Sequence, residues 1–321
     1  MITYTIRRLV QMLPILLGAT MVIFLVIKLA PGDPFSGMIN PHIDPHKIEE
    51  ERHRLCLDCP LPEQYAIWLK ELLQGNLGTS IRFKEPVAGI IRDKMGPTLA
   101  LGVTTEVIVF ALGIPIGILS ARRQHSWLDN AATLFAFGGL SIPAFFFGLL
   151  LLKTFSLGSV QIFPSSGYIT PGSSTTGIAH FLDVAHHLVL PALALGVTGI
   201  AGLTRYVRSS MLEVLRQDYI RTAQAKGLGE RVVVYKHALR NALIPVITII
   251  GLELPGLVGG AIITESIFIW PGMGRLLYTA LLERDYPVLM ALNLMFAFLT
   301  MLGSLLADIG YAVVDPRIRY D

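Results

Sequence analysis

Charge is scarce in this chain. Only 15% of its 321 residues are Asp, Glu, Lys or Arg, while 53% are hydrophobic and the mean hydropathy is +0.60. A soluble domain of this size exposes too much surface to cover with so few charges, so a soluble globular protein is excluded. Cysteine is nearly absent, with Cys56 and Cys59 as C-L-D-C, and no βαβ pattern surrounds the pair, which excludes a thioredoxin-like motif. No G-x-x-x-x-G-K-[ST] occurs, so there is no P-loop phosphate cradle and the chain is not itself an ATPase. Ser165-Ser166 and His186-His187 lack any arrangement that would activate a nucleophile, so no enzyme chemistry is expected.

What is present is long apolar runs. Six qualify as spans of about 20 residues: Leu9 to Ala30, Thr98 to Ala121, Ala131 to Leu152, a run from Leu188 toward Tyr206, Ala242 to Ile269, and Val288 to Val314. Each must satisfy its own backbone hydrogen bonds in lipid and is too long for a barrel strand, so all six are expected to be helices. The first exceeds a signal-peptide core and lacks an A-x-A site, so it is read as a retained anchor. The fold expected is an all-α integral membrane protein, one domain over 1–321.

Basic residues set the topology. Arg7 and Arg8 precede the first span, Arg122 and Arg123 follow the second, eight Lys/Arg against three Asp/Glu lie from Arg205 to Arg240, and Arg317 and Arg319 close the chain. The positive-inside rule then places both termini and the 205–240 region in the cytoplasm. Residues 31–97 fall outside by parity, as a sizeable external segment after the first helix.

The stretch RTAQAKGLGERVVVYKHALRNALIP, residues 221–245, holds five Lys/Arg and one Glu in this apolar chain. From Met211 to Lys226 the apolar positions recur at helical spacing and Gly227 supplies a stop. A second helical pattern starts at Glu230 and runs toward Pro245. Helix, glycine turn, helix makes a cytoplasmic hairpin over 211–243. Cations anchoring helix ends at anionic headgroups would also account for the charge, and composition leaves both readings open.

A resemblance decides between them. The stretch resembles the cytoplasmic loop of ABC importer permeases, E-A-A, three residues, G, nine residues, I-x-L-P: Gly227 takes the glycine, Thr222 and Ala223 the alanines, His237 the isoleucine and Leu239 the leucine. Arg221 stands where Glu is usual and Arg240 where Pro is usual. D-Y-I-R-T-A-x-A-K-G followed by H-A-L-R-N-A-L-I-P is similar to the form found in oligopeptide, dipeptide and nickel importers. Pro31-Gly-Asp-Pro34, Leu57-Asp58 with Pro60-Leu-Pro-Glu-Gln-Tyr65, Gly75-Asn-Leu-Gly-Thr-Ser80, Trp270-Pro-Gly-Met-Gly274, Arg284-Asp-Tyr-Pro287 and Asp315-Pro-Arg-Ile-Arg-Tyr320 extend the likeness along the chain.

The resemblance implies the first, B-type permease of a pair, with six helices of the type I ABC importer permease kind. It implies a second homologous permease subunit, two P-loop ATPase subunits that bind ATP and Mg, and an extracytoplasmic substrate-binding protein received partly by the external segment. The chain would then lie in the bacterial or archaeal inner membrane, hold no cofactor of its own and carry peptide. The ATPase-coupling residues are expected among Asp218, Tyr219, Arg221, Thr222, Ala223, Ala225, Lys226, Gly227, His237, Arg240 and Asn241. An importer of nickel or a metal chelate is the alternative within the family, and an ATP-independent secondary transporter or a scaffold without transport lies outside it. Nucleic-acid binding has no support, since the basic residues are on a membrane-proximal hairpin.

Inside the spans, Glu253 and Glu106 are the candidate path-lining residues, because an acid so deep should face the bundle or water rather than lipid. Glu265, Lys28 and Asp308 lie near span ends and are expected at the interface. Gly113-x-x-x-Gly117 and Gly256-x-x-x-Gly260 suit close helix packing, and Pro115, Pro143 and Pro255 should break or kink their helices. Cys56 and Cys59 are a candidate disulfide closing a very small loop; free thiols, or a metal site with His42, His46 and His53, are the other readings, and no metal is assigned.

Overall fold

A computed structural model describes residues 2–29, 49–50, 52–53, 56–158, 161–173, 176–243, 246, 256 and 261–314. Among these residues the chain is helical and forms no sheet. The elements are α1 (Ile2–Leu29), α2 (Leu61–Leu73), α3 (Val87–Arg122), α4 (Trp127–Ser141), α5 (Ala144–Phe155), α6 (Gly177–Leu215), α7 (Asp218–Ala225), α8 (Glu230–Val232), a π-helical turn Val233–Ala238, α9 (Leu239–Ala242), α10 (Ile262–Ile267), α11 (Met273–Glu283) and α12 (Tyr286–Val314).

Among the described residues four helices are long and apolar enough to cross a membrane: Ile6–Leu29, Val87–Arg122, Gly177–Leu215 and Tyr286–Leu306. A fifth crossing is counted if α4 and α5 are taken together, although they meet at a bend of 105°. The sequence suggests one span there, broken or kinked at Pro143. Pro143 has no N–H to give and restricts the residue before it, so Ile142 turns extended and α5 starts afresh after the proline. Pro115 and Pro191, by contrast, sit inside helices that continue through them. Most of the Ala242 to Ile269 run, with Glu253 and Pro255, lies outside the described residues, as do Pro31–Pro34, His42, His46 and the chain end from Asp315.

Helix α6 is the mast of the bundle, packing against α3, α4 and α5. Small residues let the neighbours come close. A Cβ at Gly117 would stand 2.8 Å from the Thr204 carbonyl and from Val207, and one at Gly113 would stand 3.0 Å from Leu203. The Gly113-x-x-x-Gly117 pair is therefore the α3 face that meets α6, with backbones approaching as small residues permit in lipid. Helices α1 and α12 form a second pair, tied by Arg8 to Asp308 at 3.0 Å.

The segment between α1 and α3 is held to that pair. Tyr65 and Trp68 of α2 pack on Phe24 of α1, with ring centroids 5.3 and 6.0 Å away, and the Tyr65 hydroxyl lies 2.9 Å from Thr20 Oγ1. Two of the sequence motifs meet here: Ser80 Oγ donates to the Asp285 carboxylate, and the amides of Ile81 and Arg82 donate to it at 3.2 and 3.3 Å.

Candidate functional site

At the end of the bundle formed by the 122–126 turn, α6 leaves its span and the chain builds an arm. The periodicity from Met211 to Lys226 suggests one helix, but the structure divides it. Gln217 is extended, φ −70° and ψ 148°, so α6 stops at Leu215 and α7 starts at Asp218 in a new direction. The break lets α7 turn an amphipathic face onto the bundle. Ile220 is fully buried and Ala223 nearly so, against Val207, Met211, Val233, Val234 and Ala238.

The other face of the arm is exposed. Asp218, Tyr219, Arg221, Thr222, Ala225, Lys226 and Gly227 all face outward, followed by Arg240 and Asn241, while His237 is half-buried. Local bonds order this surface: Thr222 Oγ1 donates to the Asp218 carbonyl at 2.9 Å, Arg221 reaches Asp218 at 3.5 Å, and Asn241 Nδ2 donates to the Tyr219 hydroxyl at 2.8 Å. Gly227 has φ +76°, a conformation in which a Cβ costs energy, and no described atom lies within 4 Å of where one would sit. Positive φ is thus what the turn requires of Gly227; within this chain the space around it is open.

Among the described residues, two polar ties fasten the arm to the bundle and a third braces the helix it departs from, none of them singled out by the sequence. Arg122 at the end of α3 pairs with Glu230 at 2.7 Å. Ser210 Oγ donates to the Ala242 carbonyl at 3.0 Å. The third is Asp129, 2% exposed, which accepts from Arg208 Nε at 2.6 Å and Nη2 at 2.9 Å, from the His125 amide at 2.9 Å and from Ser120 Oγ. One carboxylate thus joins α3, the 123–126 turn, α4 and α6, the helix from which the arm departs. A carboxylate with this many charge-assisted and amide donors is well compensated for its burial.

Between α3 and α6 lies a cavity of about 580 Å³, lined along α3 by Thr98, Leu101, Gly102, Thr105, Glu106, Val109 and Phe110. Leu195, Thr198, Gly199, Gly202, Leu203 and Tyr206 line it from α6, with Gly256, Ala261 and Glu265 completing the wall. Glu106 therefore faces a cavity; Glu253 lies outside the described residues.

Glu265, expected near a span end, is enclosed by the protein. It is fully buried, accepting from Thr98 Oγ1 at 3.2 Å and from the Arg275 amide at 2.8 Å. The W-P-G-M-G stretch explains this, because a side chain at Gly272 would run into the Glu265 carboxylate and one at Gly274 would stand 2.8 Å from the Ile262 amide nitrogen. Thr98 Oγ1 also accepts from the Met273 amide at 2.7 Å, and Trp270 Nε1 donates to the Pro97 carbonyl at 2.9 Å. The two glycines in a loop otherwise rich in bulky residues were the available signal for a close approach.

Cys56 and Cys59 form a disulfide, with Cα atoms 5.1 Å apart, and Gln64 Nε2 donates to the Leu57 and Cys59 carbonyls. His53 pairs with Asp58 at 2.6 Å. With both sulfurs bonded to each other they offer no thiolate, so Cys56, Cys59 and neighbouring Glu63 do not make a metal site in this state.

Long apolar helices around a lined cavity, with an ordered polar arm at one end, make a helical membrane protein of a kind that fits a permease. Two family models match: the binding-protein-dependent transport system inner membrane component over residues 113–320, and the N-terminal part of such membrane components over residues 1–102. The chain belongs to this family of binding-protein-dependent transport permeases. It is 45% identical to the oligopeptide transport system permease protein AppB of Bacillus subtilis over the whole of both chains. It is 40% identical to the dipeptide transport system permease protein DppB of Alkalihalophilus pseudofirmus and 41% to the glutathione transport system permease protein GsiC of Pectobacterium atrosepticum, again over the whole of each chain. Among solved structures, a chain of the MetNI methionine ABC transporter in an inward-facing conformation shares the fold, with a TM-score of 0.56 and 18% identity over 71% of this chain and 97% of that one.

Proposed function

We propose that this chain is one of two permease subunits in an ATP-driven importer of di- or oligopeptides, and that the 211–243 arm couples it to two ATPase subunits. The observation that carries the coupling role is the arm itself: α7 is buried on one face, bonded to the bundle at its roots, and presents Asp218, Tyr219, Arg221, Thr222, Lys226 and Gly227 outward. A rigid lever needs a fixed inner face and an exposed outer one. Peptide as the cargo is supported by relatives named for oligopeptide, dipeptide and glutathione transport.

The ATPases bind ATP and Mg; this chain supplies the path and the lever. With Arg122, Arg123 and the arm in the cytoplasm, the termini are cytoplasmic too, and the segment between α1 and α3 faces outward to receive a substrate-binding protein. Glu106 lies along the path. Tagging the subunit in its host and extracting the complex gently tests this. Two P-loop ATPases, a second permease and peptide-dependent ATP hydrolysis are expected; a complex that transports after reconstitution with no ATPase present overturns the reading in favour of a secondary transporter.

A further inference from the structure

A second cavity, of about 130 Å³, opens where two spans end. Lys28 stands one residue before the end of the Ile6–Leu29 span, and Tyr286 begins the Tyr286–Leu306 span, so both line it at the level of lipid head groups. Phe24, Ile67, Trp68, Ile81, Pro287 and Met290 make most of the remaining wall apolar. Gln64 also lines it, but its amide nitrogen already donates to the Leu57 and Cys59 carbonyls. The walls thus come from α1, the disulfide loop, α2, the turn at Ile81 and the start of α12.

The charge of this lining has one sign. Among the described residues Lys28 is its only charged member, and neither Asp nor Glu lines it; Glu63, beside Cys59, is exposed and outside it. The Lys28 ammonium lies 5.9 and 5.3 Å from the Phe24 and Tyr286 ring centroids, which hold a cation in place without neutralising it. A lysine that merely anchors a helix end turns its head group to water, whereas this one is half-buried over two rings beside an apolar cavity. Leu17, Met21, Phe24 and Lys28 share one stripe of α1 by their spacing. Leu17 and Met21 are exposed, so an apolar track runs from the cation toward the middle of the span.

We infer that Lys28 and this cavity form a site for an anionic phospholipid, whatever cargo the transporter carries. The ammonium holds the phosphate, the cavity takes the glycerol end of the lipid, and an acyl chain follows the Leu17 and Met21 track. An ammonium and a phosphate make short charge-assisted hydrogen bonds, stronger in a half-buried place than in open water. A zwitterionic head group brings a cation that finds no acid in this lining, so a net negative lipid is preferred. The bound lipid touches α1, the disulfide loop, α2 and α12 together. It therefore braces the external segment against the α1 and α12 pair and stabilises the folded subunit.

The test uses the complete complex, purified from its host and freed of native lipid in detergent, with bound copies counted by native mass spectrometry. The probes are dioctanoyl phosphatidylglycerol, dioctanoyl phosphatidylcholine and octanoate. Lys28→Gln removes the charge, Lys28→Arg keeps it, Ile67→Trp narrows the cavity from its exposed side, and gel filtration reports assembly of each variant. Phosphatidylglycerol should bind K28Q about tenfold more weakly at one site, stay within about threefold of the parent in K28R, and weaken in I67W as well. Phosphatidylcholine binding should be the same in all four proteins. Equal phosphatidylglycerol binding by parent and K28Q, or no binding by the parent, overturns the site. Phosphatidylcholine bound as tightly as phosphatidylglycerol and equally dependent on Lys28 overturns the anionic preference. Octanoate displacing phosphatidylglycerol at equal concentration assigns the cavity to a free fatty acid and overturns the phospholipid.

Discussion

The Arg208 guanidinium grips the Asp129 carboxylate through two hydrogen bonds, 2.6 and 2.9 Å, at the point where α6 leaves the bundle for the arm. The carboxylate is 2% exposed and the arginine side chain 27%. Removing the arginine leaves a buried charge with only the Ser120 hydroxyl and the His125 amide to answer it. Arg208→Ala should therefore cost about 2–3 kcal/mol, below the roughly 3–5 kcal/mol of a fully buried pair because Arg208 keeps some contact with water. Asp129→Asn with the arginine retained should cost less, since the freed guanidinium can turn to solvent. Thermal unfolding of the purified complex reads both, and equal midpoints for parent and R208A would count against the strut.

Gly227 makes a different kind of prediction. Its positive φ is needed for the turn, yet a Cβ there would meet no described atom within 4 Å. Gly227→Ala should cost the isolated subunit only about 1 kcal/mol, the penalty for a left-handed residue. Gly227→Asp should leave the subunit in the membrane at normal levels and break the link between ATP hydrolysis and uptake. Uptake per ATP hydrolysed is the measurement, and normal uptake by G227D would rule out the coupling role.

The α3 and α6 backbones meet at Gly117. A methyl group there would press on the Thr204 carbonyl and on Val207, neither of which can move without shifting the mast. Gly117→Ala should destabilise by about 1–3 kcal/mol through overpacking. Gly138 in α4 is the control, because a Cβ there meets no described atom within 4 Å. Gly138→Ala should be neutral or stabilising by up to about 1 kcal/mol, as expected for relief of glycine inside a helix. Melting curves in detergent should separate the two variants.

Asp285 holds the segment between α1 and α3 to the start of α12. Asp285→Ala strands the Ser80 hydroxyl and the Ile81 and Arg82 amides in a buried place, at about 1–3 kcal/mol for each group that finds no water. The loss should be local, because the Arg82–Glu283 ion pair and the Phe24, Tyr65 and Trp68 cluster still hold this segment. Limited proteolysis should cut D285A near residues 80–86 faster than the parent, with membrane insertion unchanged; identical cleavage patterns would refute the tie.

Much of the arm could be read directly. Gly227, the basic residues and the helical spacing of Leu212, Leu215 and Tyr219 announced two helices about a turn. The break at Gln217 could not be read, because Gln and Arg are good helix formers and only the burial of Ile220 and Ala223 against Val233 and Ala238 rewards the change of direction. The burial of Glu265 could not be read for a related reason. Its position near the end of an apolar run says nothing of its partners, because Thr98 and Arg275 are 167 and 10 residues away in sequence.

Composition and periodicity by themselves determined that this is a helical membrane protein, where most of its crossings fall, that one basic hairpin stands outside them, and that no P-loop motif is present. Those properties follow from local rules: the cost of exposed backbone in lipid, the cost of charge there, and the spacing of residues around a helix. Tertiary structure alone decided which polar groups meet. Asp129 with Arg208, Ser80 with Asp285 and Thr98 with Glu265 are separated by 79, 205 and 167 residues, and nothing in the segment around one names the other. Each pair forms only once the chain folds, and a buried acid is tolerated only where donors from another element reach it.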